Sequence, residues 1–150
     1  MNKPLNGPDN HELIDDPEFE KMAADICRYP QMFVREATYD HVCQFILAFD
    51  AGRGGGGPLL GIHPWHVTQL DGGNNELWIG VLRRNLALDT TQSDLSKDLQ
   101  EIQALGHLLQ QFFEYRRTYG LTKIFYDYGK WLLRRQWYRG PLRTHLITES

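Results

Sequence analysis

The sequence predicts a mainly α, single-domain helical bundle that ends in an antiparallel helix hairpin, and three observations carry that expectation. Leu95, Leu99, Ile102, Gly106, Leu109 and Phe113 step along the chain by three and four, with Leu105, Leu108 and Phe112 widening the stripe. Steps of that size keep side chains on one face of a helix. A second run, Leu121, Ile124, Phe125, Tyr128, Trp131, Leu132 and Arg135, follows after Gly120 alone, and so short a link makes the two helices neighbours. Finally, the chain has 150 residues, 41% of them hydrophobic, enough for one domain to bury a core without disulfides or a structural metal.

The elements follow in order. Residues 1–15 are polar and carry Pro4, Gly7 and Pro8, the composition of a flexible arm, which leaves 16–150 as the domain. Asp16-Pro17-Glu18 is a helix start, with Asp as N-cap, Pro in the first turn and Glu near the positive end of the dipole. Phe19, Met22, Ala23 and Ile26 continue it, and Pro30 ends it. Thr38 caps a second helix with Val42, Phe45, Ile46 and Phe49 on its apolar face. Five glycines among residues 52–57, followed by Pro58, predict a loop. Pro64 suits the start of a short third helix, with Trp65 and Leu70 facing inward and Gly72-Gly73 stopping it. Leu77, Trp78, Val81 and Leu82 fit one helix face or a short buried strand, because periodicity does not separate the two over so few residues. Residues 85–93 are a polar connector. The long amphipathic helix then runs from about Asp94 to Tyr119, and the last helix from Leu121 to Trp137, before Gly140-Pro141. Gly106, inside the apolar stripe, marks a close approach by another helix.

Charge and composition exclude several classes. The net charge is −3, so bulk charge points to neither nucleic acid nor membrane. The distribution is uneven. Residues 1–50 hold ten acids and four bases, residues 51–115 seven and four, and residues 116–150 two and eight. An acidic front and a basic rear either serve a partner or pair with each other. Two cysteines, Cys27 and Cys43, do not make a secreted disulfide framework. With no apolar leader and no run of about 20 apolar residues, cytoplasm is the expectation.

No motif for catalysis stands out, and the chain is read as a non-enzyme without cofactors. The glycine run lacks the Lys-Ser/Thr of a phosphate loop and follows a helix rather than a strand. His41, Cys43, His63 and His66 are zinc-ligand types, but their spacing matches no zinc signature, so no metal is expected. No nucleophile-elbow or cysteine-protease signature occurs. The rear interleaves Trp131, Arg134, Arg135, Trp137, Tyr138, Arg139 and Arg143. Such a segment can stack single-stranded nucleic acid, act as a protein hot spot, or pack its aromatics while its arginines complement a helix end.

One stretch carries a resemblance. Ile26-Cys27-Arg28-Tyr29-Pro30-Gln31-Met32-Phe33-Val34 resembles an I-x-x-R-P-x-M-Y-V opening, and Phe45-Ile46-Leu47-Ala48-Phe49-Asp50 resembles F-L-x-G-Y-D. The likeness extends through Gly57-Pro58-Leu59-Leu60-Gly61, Trp65 and Asn74-Asn75-Glu76-Leu77-Trp78, covering residues 22–82. Tyr29 stands where the pattern has Arg, Phe33 where it has Tyr, and Ala48 where it has Gly. The pattern is that of small bacterial immunity-type proteins encoded beside polymorphic or contact-dependent toxins. It implies a cytoplasmic protein that binds a cognate toxin and occludes its active site. Such a protein needs a rigid scaffold and a charged rim rather than catalytic residues. For a basic toxin the acidic front, Glu12, Asp15, Asp16, Glu18 and Glu20, is one docking surface, and Asp71 with Glu76 another. A nucleic-acid-binding or regulatory module built on the basic aromatic rear is the alternative.

Overall fold

The structure, a computed structural model, describes residues 15–53, 57–86, 96–135 and 137–138. Among them lie five α-helices and no strand: α1 (Pro17–Arg28), α2 (Tyr39–Gly52), α3 (Ile62–Leu70), α4 (Trp78–Asn85) and α5 (Lys97–Leu133), with a 3-10 turn at Pro30–Met32. The mainly α bundle expected from the sequence is the fold. Except for Asp15, the expected arm lies outside the described residues. So do glycines 54–56, residues 87–93 of the polar connector, Asp94 and Leu95 of the expected long helix, and Gly140-Pro141.

The helix starts follow side-chain capping. Asp16 Oδ1 accepts the Phe19 N–H at 3.0 Å, and Thr38 Oγ1 accepts the His41 N–H at 3.2 Å. α5 begins at Lys97 rather than near Asp94, because Ser96 supplies the cap by accepting the Leu99 N–H at 3.3 Å. Each such cap contributes about 1 kcal/mol. α3 starts at Ile62, two residues before Pro64, and the glycines after it do not stop it. Asp71 takes the left-handed position itself, at φ 55° and ψ 43°, which Asp tolerates better than most residues. Residues 78–85 resolve as helix, and their buried side chains are Trp78, Val81 and Leu82, with Leu77 left exposed.

The first part of α5, residues 97–119, is the post of the bundle. Ile102, Leu105, Leu108, Leu109, Phe112 and Phe113 are all buried, as their spacing predicts. α1 packs against it in the opposite direction: Phe19 meets Phe113 edge-on at 6.1 Å, while Cys27 lies against Gly106. α2 closes over α1 and α5, with Val42, Cys43 and Ile46 buried. Phe45 and Phe49 are only half-buried, and they extend the aromatic cluster from Phe33 to Phe19. α3 sets Trp65 against Phe112 at 5.5 Å, and α4 packs on α3 and α5.

Gly120 breaks α5. At φ 82° and ψ 165° it takes a conformation open to glycine alone. The two segments expected on either side of Gly120 are present, but the second ends at Leu133 instead of continuing to Trp137. α3 reaches both Tyr115, through Trp65 at 6.1 Å, and Trp131, through the neighbouring Asp71 at 2.7 Å. A straight helix would hold residues 115 and 131 about 24 Å apart, whereas α3 itself is only about 13 Å long. The bend therefore carries the second segment around α3. An antiparallel hairpin is the finer expectation; the contacts record a shared packing partner, α3.

Three outcomes test this packing. Leu109 is 1% exposed, and Leu109→Ala should cost about 2–5 kcal/mol in urea melts; a loss below about 0.5 kcal/mol would remove the stripe from the core. At Gly106 an added Cβ would sit 2.9 Å from the Cβ of Cys27. Gly106→Ala gains about 1 kcal/mol of helix propensity but overpacks the contact with α1 at about 1–3 kcal/mol, so a net loss of up to about 2 kcal/mol is expected. Trimming Cys27 to Ala should not restore stability, because the crowded atom is the Cβ. A stability gain in Gly106→Ala alone would contradict the close approach.

His66 is 4% exposed, and burial, with His63 nearby, holds its pKa below the ordinary 6.5. The fold thus favours the neutral ring. That contribution is complete above the unfolded value and is lost as pH falls from about 6.5 through the lowered folded value. Urea midpoints measured from pH 7.5 to 5 should decline, and His66→Gln should flatten the decline. An unchanged slope in the variant would assign the decline to other groups.

Candidate partner-binding surface

The structure accounts for most of the acidic residues that the sequence offers for docking. Asp16 uses one carboxylate oxygen for the α1 cap, and its other oxygen lies 3.5 Å from Arg53. Glu18 reaches the same arginine at 3.1 Å, and Glu20 pairs with Arg117 at 2.5 Å. Asp71 accepts from the Trp131 indole at 2.7 Å and from Arg135 at 2.6 Å, while Glu76 pairs with Arg84. Asp15 is exposed, and Glu12 lies outside the described residues. The two acidic sets are held by different elements: one lies at the start of α1, the other on the connection from α3 to α4. Exposed ion pairs hold side chains weakly, at about 0–1 kcal/mol, so a partner could still displace them. They nevertheless leave little uncompensated negative charge for a basic toxin to find. Asp16 moreover stabilises α1, so reversing it would perturb the fold along with the surface.

The front and rear charges meet in part within the molecule. Glu20 with Arg117, and Asp71 with Arg135, are such pairs. A buried polar cluster escapes sequence reasoning altogether. Glu101, fully buried, receives Arg83 Nε at 2.5 Å with Lys97 Nζ at 3.8 Å, and Arg83 also reaches Asp40 at 3.2 Å. The Tyr39 hydroxyl donates to the Ile79 carbonyl at 2.6 Å, and the Tyr39 amide donates to Asp98 at 2.9 Å. Burial and the nearby Cys43 and Glu101 push the Tyr39 hydroxyl well above the ordinary tyrosine range. These bonds tie the start of α2 to α4 and to the start of α5. No periodicity flags Glu101, which occupies a core-facing position beside Ile102.

The residues with metal-ligand or nucleophile chemistry are occupied elsewhere. His41 Nδ1 sits 2.8 Å from the Thr38 hydroxyl at an exposed helix start. His63 faces Tyr128 edge-on at 6.4 Å, and His66 stacks beside Trp65. No group of three or more His, Cys, Asp or Glu side chains converges among the described residues. Cys27 and Cys43 are free and buried. Desolvation pushes both thiols up to about 12, so neither supplies a thiolate near neutral pH. Among the described residues no helix is long and apolar enough to cross a membrane.

Large apolar side chains are exposed at Tyr29, Met32 and Leu77, and again along the rear of α5 and just beyond it. Trp131 is buried, stacked against Tyr128, with the Arg135 guanidinium 4.4 Å from its ring. Tyr119 (54% exposed), Phe125 (46%), Tyr126 (61%) and Trp137 (56%) face outward. The sequence places Phe125 on the buried stripe, and the structure corrects this. Beyond Gly120 the core face is set by Ile124 and Trp131, seven residues apart, so Phe125 and Tyr126 rotate roughly 100° and 200° away from it. Leu70 is likewise exposed rather than inward-facing. Lys130 Nζ sits 4.5 Å from the Tyr126 ring centroid, and Lys123 pairs with Asp127 at 2.9 Å. Arg139 and Arg143 lie outside the described residues. The chain matches no family model, no curated protein and no solved structure.

Proposed function

We propose that this chain is an immunity-type protein that binds a cognate bacterial toxin in the cytoplasm and blocks its active site, docking through the outer face of the rear segment from Tyr119 onward. The observation that carries the reading is the group of exposed large aromatics, Tyr119, Phe125, Tyr126 and Trp137, on one rear segment with lysines and arginines between them. Solvent-facing rings of this size tend to be covered by a partner, and Tyr, Trp and Arg dominate the binding energy of protein interfaces. The sequence resemblance in residues 22–82 supplies the toxin as partner. That stretch is mostly scaffold, and the docking face lies outside it.

Binding of single-stranded nucleic acid is the second reading, favoured by Lys130 and Arg134 among the same aromatics. A strand needs a row of uncompensated cations along its phosphates. Here Lys123 and Arg135 are already matched by Asp127 and Asp71, which supports a protein partner.

Co-expression with the toxin encoded beside this gene should protect cells, and toxins of other types should still kill. Phe125→Ala with Tyr126→Ala should weaken the complex by about 30-fold or more, the mark of a hot spot of about 2 kcal/mol. Because both side chains are exposed, stability should change by no more than about 0.5 kcal/mol. Asp15→Lys with Glu18→Lys tests the acidic front without touching the Asp16 cap. If only that pair weakens binding, the docking face is at α1. Failure to protect against any neighbouring toxin overturns the immunity reading. Tight oligonucleotide binding with a steep salt slope would favour the alternative.

A further inference from the structure

We propose that the groove between the end of α3 and the last turns of α5 is a subsite for a carboxylate side chain of the protein partner, gripped by Lys130 and Arg134 beside Trp131. The inference rests on the reading of the rear of α5 as a protein-docking face, and it names the chemistry that face selects.

The groove encloses about 410 Å³. Asp127, Lys130 and Trp131 line it from α5, Arg134 and Arg135 from its C-cap and just after it, with Thr68 and Asp71 opposite. Spacings of three and four place Asp127, Lys130, Trp131 and the capping Arg134 on one side of the helix end. The floor is fixed. Trp131 is 8% exposed, its indole N–H is held by Asp71, and the Arg135 guanidinium packs over its ring while donating to the same carboxylate oxygen. Asp71 adopts its left-handed backbone where it makes these bonds.

Charge decides what the groove accepts. Both of its carboxylates are already matched, Asp71 by Arg135 and Asp127 by Lys123. Lys130 and Arg134 are exposed, one helical turn apart, and have no acidic partner among the described residues. The Tyr126 ring orients the Lys130 ammonium without neutralising it. Two uncompensated cations lining one groove suit a carboxylate. Arginine offers a planar fork to such a group, and lysine offers a point charge. The volume admits an acidic side chain together with part of its neighbour. Cations at this end of a helix also complement the dipole, a role that needs no ligand, so the test must separate the two.

The isotope-labelled full chain is titrated with N-acetyl-hexaglutamate amide while the indole N–H resonances are followed. A saturable shift of the Trp131 indole, absent with the hexalysine peptide and much smaller with inorganic phosphate at equal concentration, is expected. Lys130→Glu with Arg134→Glu should weaken that binding at least tenfold, and Lys130→Gln with Arg134→Gln should do the same should the reversed pair fold poorly. No saturable shift in the wild-type chain, with only a lowered melting temperature in the variants, would leave the dipole role alone and overturn the subsite. An equal response to phosphate would overturn its assignment to a protein carboxylate. The result is independent of toxin protection: a peptide-binding groove in a chain that protects against no toxin would sink the immunity reading and keep the subsite, and the converse would do the reverse.

Discussion

Burial of one helical stripe governs the arrangement of everything else in this protein. The apolar residues from Ile102 to Phe113 spread over an arc of roughly 140° of the first part of α5, and α1, α2 and α3 share in covering it. α1, α2 and α3 are each short, and a lone helix of that length is marginal in water. Each gains its stability by laying its apolar face on the post. The close approach at Gly106 then fixes how deeply α1 sits, because only a residue without a side chain lets the Cβ of Cys27 come so near. Interiors packed at crystal-like density transmit such a constraint. The depth of α1 in turn sets where Phe19 meets Phe49 and Phe113, and so where α2 can lie.

Two arginines extend this order to the chain around Pro58 and to α4. Arg116 is 4% exposed, and its guanidinium donates to the carbonyls of Gly57 at 3.2 Å and Pro58 at 2.5 Å while lying over the rings of Phe112 and Phe113. A cation placed there anchors the chain directly after the glycine-rich stretch, where an apolar side chain could not meet the exposed carbonyls. Arg83 plays the matching part at the other end, joining α4 to Glu101 and Asp40. Buried ion pairs of this kind seldom add much net stability over a well-packed apolar alternative. What they supply is directionality, added to the burial of Trp78, Val81 and Leu82 that packs α4, a helix of eight residues.

Much of this is legible in the sequence because it follows from local rules. Asp16 and Thr38 cap where their side chains reach backbone N–H groups three residues on. The long stripe has a period that only a helix satisfies, and Gly106 within it announces a close neighbour. Legibility fails where the decisive interaction is distant in sequence. Nothing near Glu101 reveals that Arg83 will meet it, and nothing near Arg116 announces the carbonyls some 58 residues earlier in the chain. Phe125 misleads because a step of four from Leu121 fits the helical period, while the buried seam is narrower and holds only Ile124 and Trp131. Nor does a sequence show that Trp131 and Arg135 will bond Asp71. For the same reason an acidic surface that looks free on paper is largely matched in three dimensions.

The same physics separates scaffold from surface. At the front of the molecule, along α1 and beside α4, most carboxylates meet an arginine or lysine of the fold, and the buried thiols and His66 are held neutral by desolvation. Evolution of a binding face works against that tendency. A face that must recognise a partner keeps rings in water and cations without carboxylates, both of which cost stability or solubility in the free protein and are recovered only in a complex. The rear segment departs from local self-satisfaction in Tyr126, Trp137, Lys130 and Arg134, as Tyr29 and Met32 do just after α1. The bend at Gly120 makes that departure possible. Beyond it Ile124 and Trp131 are buried and Leu121 and Tyr128 half-buried, while Phe125 and Tyr126 are left outside. A single glycine thus links the packing of the bundle to the surface it presents.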